Sequence, residues 1–245
     1  MSERAYIRCV ALEKRFGAKQ VLRGLSLDVF AGETLVVLGG SGSGKSVLLK
    51  HMNALLRPDA GEVEVDGAPL SGLDEDALVP VRRNVAMLFQ QGALFDSLNV
   101  GDNVAYPLRE HRVLEAAAIP ARVSEALAMV DLPGTERLMP SELSGGMRKR
   151  AALARALVLE PRALLYDEPT TGLDPVVAAK INHLIRDVQK RLGITSVVVT
   201  HDLGSAFFVA DRIAFLHEGQ IRFAGVPDEA RRSTDPHLHE FLNAA

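Results

Sequence analysis

Cys9 is the only cysteine among 245 residues, so no disulfide can close within the chain. That excludes a disulfide-stapled scaffold and fits a reducing compartment. A strong excess of either charge is also missing: 28 Lys and Arg against 31 Asp and Glu leave a net charge of −3. A nucleic-acid-binding surface would carry a marked basic excess, so no nucleic-acid partner is expected. Long hydrophobic runs are absent too. The longest stretch without Asp, Glu, Lys or Arg is Asn84 to Phe95, 12 residues, well short of the roughly 20 that a spanning helix needs. The opening MSERAYIRC has no apolar signal region, so any service to a membrane would run through another subunit. There is no internal repeat, low-complexity tract, Cys/His cluster or nucleophile elbow. His237 and His239 lie two apart, which on a helix sends them to different faces and makes a poor metal pair.

What remains is an ordinary globular composition, 47% hydrophobic and 24% charged. The length suits one domain, or one domain with an inserted lobe. Short apolar runs at Thr34–Gly39, Asn84–Phe89, Ala163–Asp167 and Thr195–Thr200 read as strands buried on both faces of a mainly parallel sheet. Helical patterns follow at Gly44–Leu55, Pro175–Leu192 and Leu203–Ala210, giving an α/β layered core. Residues from about Gln91 to Val158 offer no strand, and Arg122–Leu132 and Ser144–Val158 read as helices. This stretch is expected to be a helical lobe inserted between two core strands. Alternating runs over Ile7–Val29 predict an antiparallel edge sheet, and Arg212–Ala224 a hairpin around Glu218-Gly219.

Two motifs carry chemistry. Gly39-Gly40-Ser41-Gly42-Ser43-Gly44-Lys45-Ser46 follows an apolar strand, opens a helix and matches the phosphate loop G-x-x-x-x-G-K-[ST]. Its glycines let backbone N–H groups converge on phosphate oxygens, and the helix N-terminus adds positive partial charge. Lys45 would lie against the β- and γ-phosphates, and Ser46 would ligate Mg²⁺. Asp167 and Glu168 end the apolar run Leu164-Leu165-Tyr166, where ligands bind in such sheets. Asp167 would hold the Mg²⁺ shell through water, and Glu168 is the candidate base for an attacking water. Read alone, such an acidic strand end is as well explained by a solvated turn; the phosphate loop gives it meaning.

Glu142-Leu143-Ser144-Gly145-Gly146-Met147, ahead of that strand, resembles the LSGGQ signature of ABC ATPases. The resemblance covers Phe16 to about Gly225. It implies a P-loop NTPase fold with a RecA-like core, one ABC ATPase domain over 1–245 with a helical lobe at about 91–158, and ATP with Mg²⁺ as cofactors. It also implies a homodimer in which Ser144, Gly145 and Gly146 clamp the ATP held by the other copy. Locally, Ser144 is also a good helix N-cap. By the same resemblance Phe16 stacks on adenine, Gln90 meets Mg²⁺ and senses the membrane subunits, Asp174 communicates across the dimer, and His201 reads the γ-phosphate. Gln91 neighbours Gln90, so that choice rests on alignment by resemblance. Asp174 before Pro175 is equally a helix cap. Met147 stands where the family more often has Gln, at a side chain that is not the main phosphate contact.

Leu88 to Val100 and Asn103 to His111, reading LFQQGALFDSLNV and NVAYPLREH, are similar to the ATPases of Mla-type phospholipid-trafficking transporters of Gram-negative bacteria. That resemblance implies a membrane permease pair, a periplasmic MCE-domain lipid binder and a STAS-domain cytoplasmic subunit as partners. It places the chain at the cytoplasmic face of the inner membrane. The apolar set Leu94, Phe95, Leu98, Val100, Val104 and Tyr106 offers a groove for a permease helix, or ordinary packing within the lobe. An ATPase serving a nutrient or drug permease is the alternative. A non-transport ATP switch on nucleic acid stands further off.

Overall fold

The computed structural model describes residues 4–243. In chain order it holds β1 (Ala5–Phe16), β2 (Lys19–Phe30), β3 (Thr34–Leu38), α1 (Lys45–Met52), β4 (Ala60–Val65), β5 (Ala68–Pro69), α2 (Glu75–Asn84) and β6 (Val85–Leu88). Then come α3 (Val100–Glu110), α4 (Ile119–Met129), α5 (Gly145–Leu157), β7 (Ala163–Asp167), α6 (Pro175–Leu192) and β8 (Thr195–Thr200). The chain closes with α7 (Leu203–Val209), β9 (Arg212–His217), β10 (Gln220–Gly225), α8 (Pro227–Arg231) and α9 (Pro236–Asn243).

The strands form two sheets: a four-stranded one in the order β2-β1-β4-β5, and a six-stranded one in the order β10-β9-β3-β8-β7-β6. The first is antiparallel, as expected of the N-terminal stretch. In the second, β9, β3, β8, β7 and β6 run parallel and only β10 turns back, forming the expected C-terminal hairpin. All five residues of β3 are buried, as are those of β7 and β8. Their side chains alternate between two cores: Val36, Leu38, Leu164, Tyr166 and Val198 face one, and Leu35, Val37, Leu165, Val197 and Val199 the other. This is the period-two consequence of covering a parallel sheet on both faces. Each leucine-sized side chain so buried contributes ~1.5–3 kcal/mol. Cys9 lies in the second core, where burial pushes its thiol up to about 12, so it is an inert packing group.

Between β6 and β7 the regular elements are α3, α4 and α5, a single 3₁₀ turn (Pro140–Glu142) aside. Helix α4 begins and ends three residues earlier than the sequence expectation, and α5 matches it to one residue at each end. Ser144 is the N-cap of α5, its hydroxyl accepting from the Met147 N–H. Helices α2 and α3 were not foreseen, because Pro80 and Pro107 lie inside them. Their N-caps offset that cost: Asp74 accepts from Ala77 N–H, and Asn99 from Asp102 N–H. Asn103, fully buried in α3, ties down the preceding loop. Its amide donates to the Phe95, Leu98 and Asn99 carbonyls, and its oxygen accepts from Phe95 N–H. The apolar set expected to form either a groove or ordinary lobe packing divides here. Val100 and Val104 are fully buried, whereas Phe95 and Tyr106 are 43% and 41% exposed, with ring centroids 4.9 Å apart. No helix of the described residues is long and apolar enough to cross a membrane.

Candidate active site

The C-terminal ends of β3, β6, β7 and β8 open on one cleft of about 730 Å³. It is lined by Gly40, Ser41, Gly42, Gly44, Lys45, Ser46, Gln90, Glu168 and His201. Lys19, Val21, Val47 and Phe241 complete the wall. The sheet's strand order is what assembles it, since β3 and β7 flank β8 though they are far apart in sequence.

The loop after β3 is shaped by its glycines. Gly44 has φ +110°, a conformation closed to ordinary side chains, and it is the N-cap of α1. Gly39 sits behind the loop, where an added Cβ would lie 2.4 Å from the Leu216 carbonyl of β9. No side chain caps α1 and no acidic residue occupies its first turn, so its leading N–H groups have no side-chain acceptor. Those donors, with the buried Lys45, fit an anion such as a nucleotide phosphate.

The two motifs meet at the cleft floor. Lys45 Nζ donates to the Gly39 and Gly40 carbonyls at 2.8 and 3.1 Å and pairs with Glu168 Oε1 at 3.4 Å. Ser46 Oγ donates to Asp167 Oδ1 at 2.7 Å. Burial pushes the Asp167 carboxyl above the usual carboxylate range, against the pull of the Ser46 hydroxyl. A hydroxyl, a desolvated carboxylate and the neighbouring Gln90 are hard oxygen donors, the set Mg²⁺ prefers. Glu168 is held by further bonds. Its Oε2 takes His201 Nδ1 at 2.9 Å and the Thr171 hydroxyl at 3.1 Å, and its N–H donates to Val199 O at 3.0 Å. Its backbone sits at φ +48°, a conformation costly for a non-glycine residue and common where function demands it.

Other foreseen residues lie elsewhere. Phe16, at the end of β1, is 48% exposed and does not line the cleft; Lys14 Nζ lies 5.8 Å from its ring centroid. Ser144, Gly145 and Gly146 are also absent from the cleft wall. Gly145 and Gly146 pack against Leu173 and Val177, where Cβ atoms would meet side chains at 3.3 and 2.5 Å. Asp174 caps α6, accepting from Val176 and Val177 N–H at 3.1 and 3.0 Å.

The pattern of the family described as ABC transporter matches residues 22–171. The chain belongs to the ABC transporter family. As an ABC-type ATPase cassette it is 43% identical over 232 residues to "Probable ribonucleotide transport ATP-binding protein mkl" of Mycobacterium tuberculosis, over 95% of this chain. It spans 65% of that mycobacterial relative's own length. It is 41% identical over 227 residues to the "Intermembrane phospholipid transport system ATP-binding protein MlaF" of Escherichia coli K12, covering 93% of this chain and 84% of that one. A dimeric ATP-binding cassette solved in a post-hydrolysis state with ADP and Pi superposes at TM-score 0.82 and 33% identity. That match covers 90% of this chain and 98% of the other.

Sequence reasoning missed several contributors. Phe241 reaches the cleft because α9 packs its ring 5.3 Å from Phe215 of β9, a contact no local pattern encodes. Thr171 could have been suspected from its place just after the two carboxylates. Lys149 is buried, and its Nζ donates to the carbonyls of Gln90 and of Glu168, the latter at 3.3 Å. Within Arg148-Lys149-Arg150 it passes for part of a solvated basic face. The signal was its spacing, three and four residues before the buried Ala152 and Leu153.

Proposed function

We propose that this cassette hydrolyses ATP as one of a pair of identical subunits and powers a transporter that moves phospholipid between inner and outer membranes. The observation that supports it most is the 41% identity to MlaF over nearly the whole chain, beside a cleft lined by the glycine-rich loop, Lys45, Ser46 and Glu168. In this reading Lys45 and the α1 N-terminus bind the β- and γ-phosphates, and Phe16 stacks on the adenine. Ser46, Gln90 and, through water, Asp167 would hold Mg²⁺, which would supply neutralisation of the phosphate charge. Glu168 accepts the proton of the attacking water, and His201, bonded to Oε2, keeps that carboxylate aimed. Ser144, Gly145 and Gly146 close on the ATP of the other copy, which fits their absence from this copy's own cleft. Asp174 lies at the contact between copies. Residues 91–158 act as a lobe carrying both Gln90's continuation and the signature.

The subunit docks on a membrane permease pair from the cytoplasmic face of the inner membrane, with a STAS-domain subunit and a periplasmic MCE-domain lipid binder completing the assembly. Deleting the gene tests this reading. Phospholipid should redistribute between the membranes, and the permease should co-purify with a tagged copy. An unchanged lipid distribution together with lost uptake of a nutrient, a nucleotide or a drug would overturn the lipid reading.

A further inference from the structure

Lys149 has no part in the chemistry described above, yet it is the lysine through which α5 touches two catalytic motifs. An ammonium has three donors and no acceptor. Two of those donors go to backbone carbonyls on different elements: Gln90, after β6, and Glu168, after β7. The residue is only 7% exposed, a placement that penalises a charge unless partners compensate. Burial pulls the Lys149 ammonium below the usual lysine range, and the nearby Asp167 and Glu168 carboxylates oppose that pull. Arg155, further along α5, extends the grip by donating to the Gly92 and Ala93 carbonyls at 2.9 and 2.8 Å. An added Cβ on Gly92 would lie 3.2 Å from Ala152. The helix whose N-cap is Ser144 is therefore fastened along its length to the segment that begins at Gln90.

We infer that Lys149 is a positioning residue, a buried cation that ties the signature helix to the backbones of Gln90 and Glu168 and so sets both groups by where α5 sits. The inference rests on the proposed ATPase reading and deepens it. Glu168 is already held in a left-handed backbone conformation, and its carbonyl takes both the Thr171 N–H and Lys149 Nζ at 3.3 Å, so the cation adds a tie from α5 to a backbone turn that aims the carboxylate. A shift of the helical lobe moves Lys149, and the base and Gln90 move with it. ATP binding at Lys45 and α1 does not pass through this tie.

The test compares the full-length chain with Lys149→Met, which keeps the stem without the cation, and Lys149→Arg, which restores it. Lys149→Met is expected to lower kcat by roughly tenfold or more, with ATP affinity and KM within about threefold of the parent. Lys149→Arg should recover most of the rate. Hydrogen exchange should quicken at the Gly92 amide, which donates to Phe89 O at 2.8 Å in the turn below Gln90, and stay unchanged in β3. Unchanged kcat in Lys149→Met would overturn the inference. So would an arginine variant as slow as the methionine one, or parallel loss of ATP binding and thermal stability, which would mark a general prop of the fold. Exchange and ATP binding need no turnover. They judge Lys149 even if the parent chain failed to hydrolyse ATP, a result that would overturn the proposed function instead.

Discussion

Replacing Glu168 with Gln keeps the shape of the side chain and removes its basicity. The structure separates what that should cost in rate from what it should cost in stability. Lys45 Nζ stands 3.4 Å from Oε1, with the two side chains 7% and 11% exposed. At an effective dielectric of about 20 the gross attraction is about 5 kcal/mol before desolvation is subtracted. Most of that is not lost on folding stability. Lys45 keeps its bonds to the Gly39 and Gly40 carbonyls, and Asp167 is relieved of a like charge that disfavours its ionised form. The net change in unfolding free energy should stay within about 1 kcal/mol. The rate has no such compensation. An amide cannot take the water's proton, so kcat should fall roughly 10²–10⁴-fold, about 3–5 kcal/mol of barrier. ATP affinity should hold or rise, because a negative charge beside the γ-phosphate is gone. Steady-state phosphate release, equilibrium binding of ATP and thermal unfolding, run on the same preparation, check all three. A loss of less than tenfold in kcat, with binding intact, would refute the role of Glu168 as base.

Composite sites predict that dimers pairing one Lys45→Ala copy with one Ser144→Arg copy keep one site intact in its residues, whereas Ser144→Arg alone leaves monomer ATP affinity unchanged; collapse of that affinity would place the signature in its own chain's site. Tyr106→Asp puts a charge beside the exposed Phe95 ring without disturbing the buried Val104. It should abolish co-purification with the membrane subunits while leaving ATP turnover of the isolated chain within about twofold; undiminished co-purification would remove this patch from the docking surface. Glu33 is buried, and burial pushes its carboxyl up against the opposing pull of the Phe30 N–H and of Arg212 at 2.8 Å. A carboxyl raised in the folded state contributes stability that is present below its unfolded value of about 4.3 and lost as pH rises through the folded one. Parent minus Glu33→Gln unfolding temperature should therefore fall as pH rises from about 4 towards neutrality; a difference that grows would mean the Arg212 pair outweighs burial.

The sequence by itself determined the parts whose physics is local. Strands β3, β7 and β8 were legible because residues buried on both faces must be continuously apolar, and their ends matched the expectation to within a residue. The tight loop after β3 was legible because only glycine tolerates positions such as φ +110° at Gly44. Ser144 and Asp174 were legible as caps, since a cap depends on the next three residues alone. Helices α2 and α3 were not, because an interior proline argues against a helix whose stability comes from packing elsewhere. Only the tertiary structure divided Val100 and Val104 from Phe95 and Tyr106, since which apolar residues find a core depends on the helices laid against them. It alone brought Phe241 to the cleft wall and buried Lys149 under Gln90 and Glu168. Each is a contact between segments brought together by strand order, and a charge in a basic run carries no local mark of which carbonyl will receive it.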